Sequence, residues 1–167
     1  MKRYDSVTLR ALASDLELEL SKLAKLEKDI HDTKQKSDQN PQFSNLFYES
    51  IALKFHNFYT GCERIFSLIS IELNGGVPKS ADWHRRLLER MTLAQSERRA
   101  VISPETAERL NEFLKFRHVV RNIYGFELKM DRVDLLLAQY PTAWSGVEAE
   151  MSTFVDWLRE LAITLEQ

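Results

Sequence analysis

The sequence predicts an all-α fold, and three observations carry that prediction. Apolar residues recur at three- and four-residue steps through several long segments. No segment shows the strict alternation of a half-buried strand, and no repeat or low-complexity tract interrupts the chain. Only five Gly and four Pro punctuate 167 residues, so helix-breaking positions are few and well separated. A chain of this length fits one domain, residues 1–167, and is long enough to bury a sizeable core.

The elements follow in order. From about Asp5 to Ser37, Leu9, Leu12, Leu16, Leu20, Leu23, Leu26 and Ile30 form a single stripe on one long helix whose other faces are rich in Glu and Lys. Asp38-Gln39-Asn40-Pro41 breaks that helix and supplies a proline to start the next. A second long helix, about Pro41 to Leu73, is apolar over much of its girth and is expected at the centre of the bundle. Gly61 within it permits close approach by a neighbouring helix, which explains a residue costing about 1 kcal/mol against Ala in mid-helix. Asn74-Gly75-Gly76-Val77-Pro78 is a loop, and a shorter helix is expected from about Ala81 to Gln95. Ser103-Pro104-Glu105 opens the next helix with a hydroxyl cap, a proline in the first turn and an acid beside it, and that helix is expected to run to about Leu128. A short helix from Asp131 to Tyr140 is expected to stop at Pro141, and a last one runs from about Ala143 to Leu165. The prediction is an antiparallel bundle of four main helices and two short ones.

Composition bounds the function. No apolar run approaches the roughly 20 residues that span a bilayer, and Met1-Lys2-Arg3-Tyr4-Asp5 leads into an acidic amphipathic segment, so no membrane contact is expected and the cytoplasm is the default address. The single cysteine, Cys62, excludes an internal disulfide and a Cys-rich zinc site. The four histidines, His31, His56, His84 and His118, show no metal-ligand spacing, and no metal or other cofactor is expected. A formal net charge of −2 argues against non-specific coating of nucleic acid, so a nucleic-acid site has to be a local basic patch.

The best such patch lies in Phe116-Arg117-His118-Val119-Val120-Arg121-Asn122-Ile123-Tyr124-Gly125-Phe126. On a helical projection Phe113, Phe116, Val119, Val120 and Ile123 share an apolar arc, and Arg117, His118, Arg121, Asn122 and Tyr124 share the opposite one. Two guanidiniums, an imidazole, an amide and a phenol are a set suited to gripping a phosphodiester and moving its protons. The same pattern fits a solvated or interface face with Arg stacked on aromatics. Trp83-His84-Arg85 adds an aromatic platform, a titratable ring and a cation, useful for RNA binding only if it sits near Arg117; the alternative is a Trp that anchors the short helix. His56 and Tyr59 read as core or interface residues.

Three ordered stretches, Phe58-Tyr59-Thr60-Gly61-Cys62-Glu63-Arg64-Ile65-Phe66, Trp83-His84-Arg85-Arg86-Leu87-Leu88 and Phe116 to Gly125, resemble the HepT-like branch of the HEPN domains. The resemblance implies an all-α bundle that forms a homodimer, with an RNA cleft where the motif helices of two subunits meet. It implies the toxin of a toxin–antitoxin pair, a metal-independent endoribonuclease whose partner is a minimal nucleotidyltransferase antitoxin. The family motif is Arg, four residues, His, any residue, Tyr; laid on this chain the Arg is Arg117 and the Tyr is Tyr124. Asn122 stands where the family has His, and His118 stands where Asn often follows the Arg. An amide cannot act as a base near neutral pH, so the base role passes to His118, with Asn122 orienting phosphate or ribose and Arg117 and Arg121 stabilising charge on phosphorus. Tyr124 corresponds to the tyrosine that such antitoxins adenylylate. The alternative is a non-catalytic HEPN-type partner, or a substrate-binding subunit of a nucleotidyltransferase.

Overall fold

The computed structural model describes residues 4–95, 98–122 and 128–167. Five α-helices account for most of them: α1 (Ser6–Gln39), α2 (Ser44–Leu73), α3 (Trp83–Met91), α4 (Pro104–Arg121) and α5 (Met130–Thr164). A one-turn 3-10 helix, Pro41–Phe43, leads into α2. No strand occurs among the described residues, and the all-α prediction holds.

Local chemistry sets the helix starts. Asp5 caps α1 by accepting from the Thr8 amide at 2.7 Å, and Ser103 caps α4 by accepting from the Thr106 amide at 3.2 Å, with Pro104 in the first turn. The α1 stripe then buries Leu9, Leu12, Leu16, Leu23 and Ile30 against α2 and α5. α1 and α2 run in opposite directions: the Tyr4 hydroxyl donates to the Leu73 carbonyl at 2.7 Å, and Leu23 packs on Gly61. A Cβ at Gly61 would lie 2.6 Å from Leu23 Cδ2, so the close approach expected of this glycine is present. Arg159–Glu17 at 2.6 Å and Arg10–Glu166 at 2.7 Å align α5 along α1, although exposed pairs of this kind add little to stability.

The core is aromatic where α2, α4 and α5 meet. Phe55, Phe58, Phe113 and Tyr140 are buried, with Phe58–Phe113 and Phe58–Tyr140 in edge contact at 5.2 and 5.0 Å. Edge-to-face contact adds roughly 0.5–1.5 kcal/mol per pair beyond area burial.

The helix count differs from the expectation of four main helices and two short ones. Pro141 does not stop a helix; it lies inside α5, which runs unbroken from Met130 to Thr164. A proline there removes one backbone bond to the carbonyl four residues back and costs about 3 kcal/mol. On either side Leu136, Tyr140, Ala143, Trp144 and Val147 are all buried, at about 1.5–3 kcal/mol for each large apolar side chain, and that outweighs the missing bond. α3 is also shorter than expected, because the chain after Met91 turns to wrap Arg98. That guanidinium donates to the Asn74 side chain and to the carbonyls of Arg90 and Arg99, tying the loop to the end of α2. α4 ends at Arg121 with Asn122 as its cap, and residues 123–127, where the helix was expected to continue, lie outside the described residues.

α4 is pinned at its start to α5. Glu150 accepts from the Ser103 amide at 2.9 Å and from the Thr106 hydroxyl at 3.1 Å, directly over Gly146. A Cβ at Gly146 would sit 2.7 Å from Thr106 Oγ1, an atom held by its bonds and unable to swing away. Gly146→Ala is therefore expected to destabilise the protein by about 1–3 kcal/mol, the usual range for overpacking. The loss should shrink in a Thr106→Ala background, as a thermal-unfolding double-mutant cycle will show.

Candidate functional site: a carboxylate, a guanidinium and two imidazoles

The site forms where α2 crosses α4. Phe58 meets Phe113 and Phe55 meets Phe116, so residue numbers rise in opposite directions along the two helices. Helical side chains lean toward their own N-termini, which tilts Glu63 on α2 and Arg117 on α4 toward each other. They meet in a two-pronged pair, Arg117 Nη1 to Glu63 Oε1 at 3.1 Å and Nη2 to Oε2 at 3.2 Å. The guanidinium lies over the Tyr59 ring, 5.1 Å from its centroid. Side-chain exposure is 4% for Arg117 and 11% for Glu63, so this is a buried, two-pronged ion pair, in which the Arg117 Nε finds no partner among the described residues. Burial also pushes the Tyr59 hydroxyl far above its ordinary value, and it stays neutral.

His84, at the start of α3, completes the cluster. Its Nδ1 lies 2.7 Å from Glu63 Oε2 and 2.9 Å from Arg117 Nη2. One carboxylate oxygen accepting from both groups explains the triangle: Nδ1 carries a proton and donates to Glu63, and Nε2 is the ring nitrogen left outside the ion pair. Trp83 stacks on the His84 ring at 3.7 Å between centroids. On the other side stands His118, its ring 5.9 Å from that of His84 and nearly perpendicular to it. His118 is exposed on the last turn of α4, as is Arg121. Partial desolvation, then the charges of Arg117, His84 and Arg121, hold the His118 imidazole below its ordinary value of 6.5, against a smaller opposing pull from Glu63.

The expected arc is therefore only partly present. His118, Arg121 and Asn122 face outward as expected, but Arg117 does not. It falls on the buried stripe Thr106–Leu110–Phe113–Leu114–Arg117, one turn after Phe113, and the carboxylate waiting on α2 is what allows a cation there. Asn122 serves the backbone: its Nδ2 donates to the His118 carbonyl at 2.8 Å and closes the helix end. Tyr124 lies outside the described residues. Of the second cluster, Trp83 and His84 do come up against Arg117 and His118, whereas Arg85 turns to the surface and pairs with Asp82 at 3.0 Å and Glu89 at 3.9 Å. Glu63 and Tyr59 were not anticipated as members. Glu63 announces itself only as a carboxylate on the buried repeat of α2, flanked by Tyr59, Cys62 and Phe66.

Among the described residues no three His, Cys, Asp or Glu side chains converge as metal ligands, and no helix is long and apolar enough to cross a membrane. What the cluster offers is two imidazoles, one of them ordered by a buried ion pair, beside an exposed cation. The fold and the cluster define an all-α bundle with a buried carboxylate–guanidinium pair that orients a histidine at the seam of α2, α3 and α4. The chain belongs to the HepT-like family of the HEPN superfamily: the family model described as HepT-like protein matches residues 50–158, more than half of the chain, and that span contains every member of the cluster. No curated protein and no solved structure matches it.

Proposed function

We propose that this HepT-like chain is the toxin component of a two-component toxin–antitoxin system and acts as a metal-independent endoribonuclease. In this reading it works as a homodimer and is silenced by a cognate nucleotidyltransferase. The observation that carries the reading is His118: an exposed imidazole, held below its ordinary value by partial desolvation and then by its cationic neighbours, one turn from the guanidinium of Arg121. A neutral imidazole at that place accepts the proton of a ribose 2′-hydroxyl, and Arg121 offsets the charge that gathers on the phosphoryl oxygens. Arg117 has a different part from the one expected of it. Buried and already matched by Glu63, it positions the His84 ring and does not touch phosphate.

The test is cleavage of RNA by the purified protein in the presence of a chelator, with 2′,3′-cyclic phosphate ends on the products. His118→Ala has to abolish it, and undiminished cleavage by that variant would show that the site is wrong. Arg121→Ala is expected to weaken RNA binding whatever the RNA sequence, and to lower the salt dependence of binding by about one phosphate contact.

One observation favours a second reading, a binding-only partner subunit of the nucleotidyltransferase. The guanidinium that stands in the family's motif position is neutralised inside the protein, where no substrate phosphate reaches it. RNA left intact, together with stable co-purification with the nucleotidyltransferase, is the result that reading requires.

A further inference from the structure

His84 lies outside the motif that the family resemblance points to, yet the fold places it beside that motif. We infer that His84 is the second catalytic imidazole, the general acid that protonates the leaving oxygen while His118 takes the proton from the attacking one. The inference rests on the ribonuclease reading above and names a residue on a different helix. Three observations carry it. The Glu63 carboxylate accepts from His84 Nδ1 at 2.7 Å, which fixes the ring and leaves Nε2 as the nitrogen that works. Trp83 stacks on one face of the ring at 3.7 Å, so it cannot rotate out of place. The His118 ring stands 5.9 Å away, centroid to centroid and nearly perpendicular, so the two imidazoles lie close enough to act on one phosphodiester.

The charges around the two rings divide the labour. The proposed step needs His84 to start with a proton on both nitrogens, and the Glu63 carboxylate lies against that ring. His118 has Arg117 and Arg121 as its neighbours and starts without one. The step balances. The ribose O2′ attacks phosphorus and its proton moves to His118; the P–O5′ bond breaks and O5′ takes the proton from His84 Nε2. The products are a 2′,3′-cyclic phosphate and a free 5′-hydroxyl, with His118 protonated and His84 neutral, and solvent exchange resets both.

A substrate with sulfur in place of the bridging O5′ tests this, because a thiolate leaves without being protonated. His84→Asn is expected to cleave ordinary RNA at least about 100-fold more slowly than the parent and the sulfur-bridged RNA at nearly the parent rate. His118→Ala is expected to be slow on both. Parent-like cleavage of ordinary RNA by His84→Asn overturns the inference and leaves the ribonuclease reading standing. Equal slowing on both substrates also overturns it, since that is the mark of a ring that only supports the fold; rescue by sulfur cannot come from a misfolded protein. If the unaltered protein cleaves neither substrate, the ribonuclease reading fails and takes this inference with it.

Discussion

Glu63→Leu is expected to lower the stability of the protein by about 3–5 kcal/mol, a far larger loss than the removal of any surface ion pair. The substitution leaves the Arg117 guanidinium, with 4% of its side chain exposed, buried without a counter-charge. It also strips His84 Nδ1 of its acceptor. At about 2–4 °C per kcal/mol for a chain of this size, the melting temperature should fall by on the order of 10 °C or more. The double variant Glu63→Leu with Arg117→Met separates the two components of that loss. An apolar pair of similar volume removes both charges together and is expected to recover most of the stability, because a buried ion pair contributes little beyond undoing its own desolvation. Thermal or urea unfolding of the two variants decides it. If the double variant is no more stable than the single one, the pair is holding the α2–α4 crossing together by more than charge.

His118→Ala is expected to slow RNA cleavage by about 10²–10⁴-fold, the usual contribution of a positioned base, with little change in melting temperature because the ring is exposed. The acid limb of the pH profile carries the sharper signature. His118 works unprotonated, and partial desolvation together with its charged neighbours places its titration below 6.5, so on the acid side the rate should climb with pH and flatten before neutrality. The sign for stability is the same. The fold disfavours the protonated ring relative to the unfolded chain, so the contribution of His118 is complete above 6.5 and declines as the pH falls toward its folded value. Replacing Arg121 with Gln removes a nearby positive charge and should move that limb upward. A limb that stays at an ordinary imidazole position in both proteins would mean that some other group is being titrated.

Most of the fold is legible in the sequence, because its elements are long and strongly periodic. The stripe from Leu9 to Ile30, the aromatic run of α2 and the Ser103-Pro104 start of α4 each express a local rule that packing reinforces. Pro141 is misread because the rule for proline is local, while the burial of Tyr140, Ala143 and Trp144 that overrides it is not. The site is legible in half. His118 and Arg121 project outward, as charged residues usually do. Arg117 breaks that habit for a reason that sits 54 residues away: position on the helix assigns it to the buried stripe, and only Glu63 makes that assignment tolerable. Nothing near residue 117 in the chain names its partner. His84 is hidden for the same reason, since its place beside Glu63 comes from the course of the chain between α2 and α3 and not from any spacing.

Pro141 also bears on how the fifth helix breathes. With no amide at that residue, the carbonyl of Leu137 has no rung to hold it, so a transient opening that starts there breaks one bond fewer than an opening anywhere else along the rod. The helix is continuous, and the rung missing at Leu137 divides its hydrogen-bond ladder into two segments. One segment clamps Glu150 to the start of α4 and the other carries Asp134 to Tyr48, so the two ends of the bundle can loosen separately.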